Sequence, residues 1–248
     1  MRAPWVVAHR GASGHAPENT FAAFERAVQL GATFIETDLQ LTRDGRFVAI
    51  HDSTVERTTN GSGAVHDFTL EELRRVDAGL WFDREFMGER VPTLEEILEF
   101  SRKSDVVFYL ELKYDWAWGM DHALAAALRK SENTARTIIL SLNPSMLAPL
   151  RRLDPSIMTG LLIEESGREI VKEVIEIGAR QLCLRSDRVT QELVEQAHRE
   201  DLQVVTWTVN DKEQMHAMIS AEVEGIMTDF PDRLLAVIED LQHADPLG

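Results

Sequence analysis

The sequence predicts an α/β fold, a closed barrel of parallel strands with a helix after each. Three observations point there. Short apolar, β-branched runs alternate with segments of helical spacing along nearly the whole chain. Such alternation implies parallel strands joined by right-handed crossovers. The 248 residues match the ~250 that one eight-stranded barrel needs. No Ser/Gly/Pro-rich tract, like-charge block or low-complexity segment interrupts the pattern, so residues 1–248 read as one domain.

The elements follow in order. Trp5 to Ala8 is the first strand and runs into the turn His9-Arg10-Gly11. Pro17-Glu18-Asn19-Thr20 opens a helix whose faces are traced by Phe21, Phe24, Ala27 and Val28, with Gly31 closing it. Phe34 to Asp38 is the second strand and Phe47 to His51 the third, after the turn Arg43-Asp44-Gly45. Strands then fall at Val106–Lys113, Arg136–Leu142, Met158–Ile163, Arg180–Leu184, Gln203–Val209 and Gly225–Thr228. The helices after them fall at Met120–Lys130, Ser145–Leu153, Arg168–Ile177, Gln191–Arg199, Lys212–Ala221 and Pro231–Gln242. That makes nine strand candidates for a barrel of eight. The second and third are joined by only about eight residues (39–46). A helical crossover needs a dozen or more, so one candidate is expected to lie outside the barrel. Between His51-Asp52 and a helix starting near Pro92-Thr93-Leu94 lie about forty residues without barrel periodicity. They include a short helix near Leu70 to Val76, and they read as an ordered insertion, at about 53–91, over the strand ends.

Composition narrows the function. The chain is 44% hydrophobic and 27% charged, ordinary for a globular protein. Lys+Arg number 26 against 42 Asp+Glu, a formal net charge of −16. That balance argues against nucleic acid or an anionic membrane as partner. No apolar stretch approaches the ~18 residues of a membrane span, and the segment before the first charged cluster is too short for a signal core. The expected compartment is the cytoplasm and the expected partner a small molecule; the sequence leaves room for a homo-oligomer. The single cysteine, Cys183, reads as a buried strand residue and not a nucleophile.

Four short motifs carry the chemistry: His9-Arg10-Gly11, Glu36-Thr37-Asp38, His51-Asp52 and Glu111-Leu112-Lys113. Each falls at the C-terminal end of a predicted strand, the face where barrel enzymes place catalytic groups. Glu36 and Asp38 are two residues apart, so both point to one face of their strand. Such a pair repels unless a cation lies between. Glu111 can complete a three-carboxylate oxygen site suited to Mg²⁺ or Ca²⁺. Lys113 shares Glu111's face and can reach an anion beside that ion. Two histidines flanking an oxygen-ligated cation suggest a general acid and base, His9 and His51. Arg10 offers a planar fork for phosphate oxygens.

His9 to Thr20 resembles the opening signature of the glycerophosphodiester phosphodiesterase family. Further matching segments are Glu36-Thr37-Asp38, Leu41 to Gly45, His51-Asp52 through Arg57-Thr58-Thr59-Asn60-Gly61, Pro92-Thr93-Leu94, Glu111-Leu112-Lys113, Trp207 to Asn210 and Thr228 to Pro231. Their order and spacing carry the likeness over nearly the whole chain. The resemblance implies a TIM-type (β/α)8 barrel with a small capping insertion after the third strand. It implies His9 and His51 as acid and base, Glu36, Asp38 and Glu111 as divalent-ion ligands, and Arg10 and Lys113 as phosphate contacts. Trp207, at a strand end, is expected to line the pocket. The implied reaction is metal-dependent hydrolysis of a glycerophosphodiester to glycerol 3-phosphate and an alcohol. Which histidine is acid, and whether water or a neighbouring glycerol hydroxyl attacks, stay open. Trp116-Ala117-Trp118 is read as either shaping the alcohol side or packing on the rim. Arg185 is read as pairing with Asp187 at the surface.

Overall fold

In the computed structural model, residues 3–113, 119–165 and 169–244 are described. The chain runs β1 (Trp5–Ala8), α1 (Phe21–Gln29), β2 (Phe34–Leu41), β3 (Phe47–Ala49), α2 (Leu70–Leu73), α3 (Leu94–Ser104) and β4 (Val107–Leu112). It continues α4 (Met120–Lys130), β5 (Thr137–Ser141), α5 (Pro144–Leu153), β6 (Met158–Ile163), α6 (Ile170–Glu176) and β7 (Gln181–Arg185). Last come α7 (Gln191–Arg199), β8 (Gln203–Trp207), α8 (Lys212–Ser220), β9 (Gly225–Thr228) and α9 (Pro231–Ala244).

Eight strands pair in the order β1-β9-β8-β7-β6-β5-β4-β2, and a parallel β1–β2 pairing closes the ring. This is the (β/α)8 barrel of the TIM type. The ninth candidate, β3, pairs antiparallel with β2 in the register Leu39↔Ala49, Gln40↔Val48 and Leu41↔Phe47. Residues 42–46 form its hairpin, with the Gly45 N–H donating to the Thr42 carbonyl. The connection too short for a crossover therefore belongs to a strand outside the ring.

Both faces of the barrel strands are buried, which explains their near-continuous apolar sequence. Alternate residues divide between two cores. Val7, Tyr109, Leu140, Leu162, Cys183 and Met227 fill the interior. Their neighbours Val6, Phe108, Ile139, Leu161, Leu182 and Ile226 face the helices. Phe24 of α1 meets Phe108 edge-on, with ring centroids 5.3 Å apart. Helix starts follow their capping residues: Thr20 accepts from the Ala23 N–H, and Thr93 forms a capping box with Glu96.

After β3 the chain builds its own small core. Val48, Ile50, Val55, Val65, Leu73, Ala78 and Val91 cluster there. The segment holds α2 and two 3₁₀ turns, Val65–Asp67 and Arg84–Phe86. α2 ends at Leu73, short of Val76. β3 also ends two residues before His51. There the Gln40 amide nitrogen donates to the carbonyls of Ile50 and His51, at 3.0 and 2.9 Å, and also to that of Asp52. That side chain takes over carbonyls a longer strand would pair, and it anchors the His51 backbone. β8 stops at Trp207, two residues earlier than its apolar run, and the Val209 N–H donates instead to the Met227 carbonyl.

Candidate active site

Strand alternation aims the functional side chains. Val7 points inward, so His9, two residues on, lies over the barrel mouth. The same step takes Phe34 to Glu36 and Asp38, Tyr109 to Glu111, and Met227 to Asp229. Asp38 and Glu111 are direct partners across β2 and β4. One carboxylate oxygen from each of Glu36, Asp38 and Glu111 lies within 4.8 Å of the others.

These three acids are buried together, and their ionisation shows it. Burial, then the charge of Asp38, pushes Glu36 up to about 8. The same two causes raise Glu111, against the pull of Lys113. Asp38 goes the other way: burial opposes ionisation, but Arg10, Lys113 and His51 together hold its carboxyl below the usual range. Two oxygens, Glu36 Oε1 and Asp38 Oδ1, are buried without a hydrogen-bond partner. Orphaned carboxylate oxygens in a tight three-acid cluster are costly as they stand. Hard oxygen donors in that number fit a divalent cation such as Mg²⁺ or Ca²⁺.

Cations ring the cluster. The Lys113 ammonium donates to Glu111 Oε1 at 2.7 Å and lies 3.6 Å from Asp38 Oδ1. Arg10 Nε is 3.2 Å from Asp38 Oδ2, and its Nη1 donates to Glu18 Oε1 at 2.9 Å. The Arg10 backbone N–H donates to Glu36 Oε2 at 3.0 Å. Arg10 reaches this position with a left-handed φ of 55°, a conformation costing about 1–2 kcal/mol for a residue with a Cβ. Gly11 follows at φ 82°, and a Cβ there would stand 2.7 Å from the Ala23 carbonyl carbon. Only glycine lets the loop lie this close to α1. Asn19 donates to Asp38 Oδ2 at 2.9 Å, and its side-chain carbonyl accepts from the Thr37 hydroxyl and the Asp38 N–H.

Each histidine rests on a carboxylate. His9 Nδ1 lies 2.7 Å from Asp229 Oδ1, with Nε2 3.9 Å from Glu36 Oε2. His51 Nδ1 lies 2.7 Å from Asp52 Oδ1. A carboxylate only accepts, so Nδ1 carries the proton in both and Nε2 is the exchanging nitrogen. Burial works against protonating His9, but the Asp229 bond and the charge of Glu36 outweigh it and raise its pKa. His51 is lowered by burial, despite Asp38. Asp229 is held at about 2: burial opposes this, and His9, Asn210 and Ser13 overcome it.

The structure thus brings together His9, Arg10, Glu36, Asp38, His51, Glu111 and Lys113, all seven polar positions singled out in the sequence. Trp207 ends β8 half-buried, packs on the interior core, and donates from Nε1 to the Cys183 carbonyl at 3.0 Å. Arg185 pairs with Asp187 at 2.7 Å, and His15 pairs with Asp232 at 2.9 Å. Cys183 is fully buried. Trp116-Ala117-Trp118 and Arg168 lie outside the described residues. Sequence reasoning passed over the residues that hold the site: Asp229, Asn210, Asn19, Gln40, Glu18 and Arg57. Asn210 and Asp229 each follow the last residue of a predicted strand and lie in matching segments, a signal that was there to be used.

Fold and site together define a TIM-barrel enzyme with a cluster of three carboxylates, able to hold a cation, at its C-terminal mouth. A family model, the glycerophosphoryl diester phosphodiesterase family, matches residues 9–233. The chain belongs to that family. It is 41% identical over 235 residues to a glycerophosphodiester phosphodiesterase of Caldanaerobacter subterraneus subsp. tengcongensis, covering 94% of this chain and 97% of that one. A Bacillus subtilis glycerophosphodiester phosphodiesterase is 35% identical, with 92% and 84% covered. Among solved structures, an Oleispira antarctica phosphodiesterase in complex with the product sn-glycerol-3-phosphate superposes with TM-score 0.87 at 28% identity, covering 96% of this chain and 97% of that one.

Proposed function

We propose that this chain hydrolyses glycerophosphodiesters to glycerol 3-phosphate and an alcohol, with a divalent ion held by Glu36, Asp38 and Glu111. The observation that carries the reading is the arrangement of charge. A three-acid cluster with orphaned oxygens lies between two cations, Arg10 and Lys113, and two carboxylate-backed imidazoles. When bound, Mg²⁺ or Ca²⁺ supplies Lewis-acid stabilisation of charge on a phosphate oxygen.

The residues divide the remaining work. A phosphodiester has a poor alkoxide leaving group, and charge builds on the phosphoryl oxygens in the transition state. Arg10 and Lys113, both held charged beside carboxylates, are placed to bind those oxygens. One imidazole takes the proton of the attacking hydroxyl or water at its Nε2, and the other gives a proton to the departing alcohol oxygen. Asp229 and Asp52 keep both rings oriented for that exchange. Trp207 is proposed to line the pocket from the end of β8. The local positive groups answer the long-range −16 charge, which stays a solubilising surface. Among the described residues no helix is long and apolar enough to cross a membrane, in keeping with a small-molecule diester as partner.

The test is release of glycerol 3-phosphate from glycerophosphocholine by purified protein. His9→Ala and His51→Ala each lower kcat by roughly 10²–10⁴ while the fold is retained. Near-wild-type turnover in either variant removes that residue from the proton-transfer pair.

A further inference from the structure

We infer that Arg57, from the insertion, is a positioning residue that locks the phosphate-binding arginine and one of the two histidines into register with each other. The inference rests on the reading above, in which Arg10 contacts phosphate and His51 exchanges protons.

One guanidinium holds two carboxylates, each with both oxygens. Arg57 Nε donates to Asp52 Oδ2 at 2.6 Å, and Nη2 donates to Asp52 Oδ1 at 3.1 Å. Nη1 donates to Glu18 Oε2 at 2.7 Å, and Nη2 to Glu18 Oε1 at 2.8 Å. Each carboxylate also holds a site residue: Glu18 Oε1 accepts from Arg10, and Asp52 Oδ1 from His51. The charges alternate in a row, Asp38, Arg10, Glu18, Arg57 and Asp52, and the row ends on the His51 imidazole. The row joins the acidic cluster to His51 by a path through the insertion.

An exposed ion pair usually contributes little, and Arg57 is 43% exposed. This one differs in geometry. A planar fork can grip two carboxylates with two hydrogen bonds each; an ammonium makes point contacts. Its root is also fixed. Val55 is fully buried in the insertion core, Thr58 and Thr59 are buried, and the Thr59 hydroxyl donates to the Val55 carbonyl at 2.7 Å. The insertion thus fixes where the guanidinium stands. Without it, Glu18, only 12% exposed, has Arg10 as its remaining cation and draws it off Asp38. Asp52 is freed to turn away from His51.

The experiment is steady-state hydrolysis of glycerophosphocholine by wild type, R57A, R57K, E18Q, D52N and the E18Q/D52N double variant with and without R57A, each with a thermal melt. R57A is expected to lower kcat/KM roughly tenfold to a hundredfold, the scale for misplaced catalytic groups. The loss should be split: D52N reproduces the fall in kcat, E18Q the rise in KM, and R57K restores one and not both. In the E18Q/D52N background R57A should change kcat/KM by less than about threefold, because its partners are gone. Unchanged kcat and KM in R57A, whether or not its melting temperature falls, overturns the inference, as does an undiminished R57A effect in the double-variant background. H51A and R10A complete the series: full activity in those two overturns the reading of the site itself, whereas an inert R57A beside crippled H51A and R10A overturns only the role of Arg57.

Discussion

Replacing Asp229 by Asn tests the second layer of the site. The Asp229 carboxylate accepts from His9 Nδ1 at 2.7 Å and from the Ser13 hydroxyl at 3.0 Å through one oxygen, and from Asn210 Nδ2 at 2.6 Å through the other. Asn210 cannot turn to oblige an amide, because its own carbonyl accepts from the Thr228 hydroxyl and the Asp229 N–H. An Asn at 229 therefore keeps its carbonyl toward Asn210 and points its NH₂ at His9. Nδ1 must then accept, and the His9 proton moves to Nε2, the nitrogen that has to exchange it. A wrong tautomer with intact geometry forfeits most of a general acid–base contribution, so kcat should fall roughly 10²–10⁴-fold. KM should move little, since Asp229 acts through His9.

Stability should fall as well. The shift of Asp229 from 3.8 to about 2 corresponds to roughly 2 kcal/mol. Its side chain is 28% exposed, so this is an upper figure. A depressed carboxylate stabilises above its unfolded pKa and loses that contribution as pH falls through the folded value. The deficit in D229N should therefore be present at pH 7 and shrink between about pH 4 and pH 2. The assay is glycerophosphocholine turnover beside chemical denaturation at pH 7. A kcat within about threefold of wild type would refute the tautomer argument.

Other consequences follow from single contacts. Gly11→Ala forces a Cβ to 2.7 Å from the Ala23 carbonyl carbon at a φ of 82°; it should cost roughly 2–4 kcal/mol in a denaturant titration and reduce activity, because Arg10 precedes it. Phe24→Ala removes a fully buried ring packed on Phe108; unfolding should show a loss of about 3–5 kcal/mol while kcat of the folded fraction holds. In the metal-free protein, burial and Asp38 push Glu36 up to about 8. The folded state then keeps a proton that the unfolded chain releases near pH 4.5, so stability falls as pH rises from there towards 8. A divalent ion must displace that proton, so its gain in melting temperature should be larger at pH 8.5 than at pH 5.5. Equal gains at the two pH values would contradict binding at these acids.

Much of this was legible in the sequence because strand periodicity and local spacing are one-dimensional. Glu36 and Asp38 share a face by counting alone, and the short 39–46 connection signalled one strand candidate outside the ring, which the structure shows to be β3. His51 was legible as a strand-end residue, although β3 stops short of it once Gln40 captures the carbonyls at 50 to 52. What stayed hidden were partners set by closure of the barrel. His9 and Asp229 stand 220 positions apart and meet only because β1 pairs with β9. Arg57 stood only within a segment that matches the family; its two carboxylates are 5 and 39 positions away, and only the packing of the insertion core brings them to one guanidinium. Trp207 was read as facing the pocket, and its indole N–H is taken by the Cys183 carbonyl of the neighbouring strand, a contact fixed by sheet register.

The central claim is that three carboxylates hold a cation that the diester chemistry requires. Phosphorus NMR of glycerophosphocholine incubated with the protein tests it most directly, before chelation, after exhaustive chelation, and after return of Mg²⁺ or Ca²⁺. The account predicts that the diester signal converts to the glycerol 3-phosphate monoester, that conversion stops on chelation, and that it resumes with the ion. Undiminished conversion in the chelated protein would contradict it.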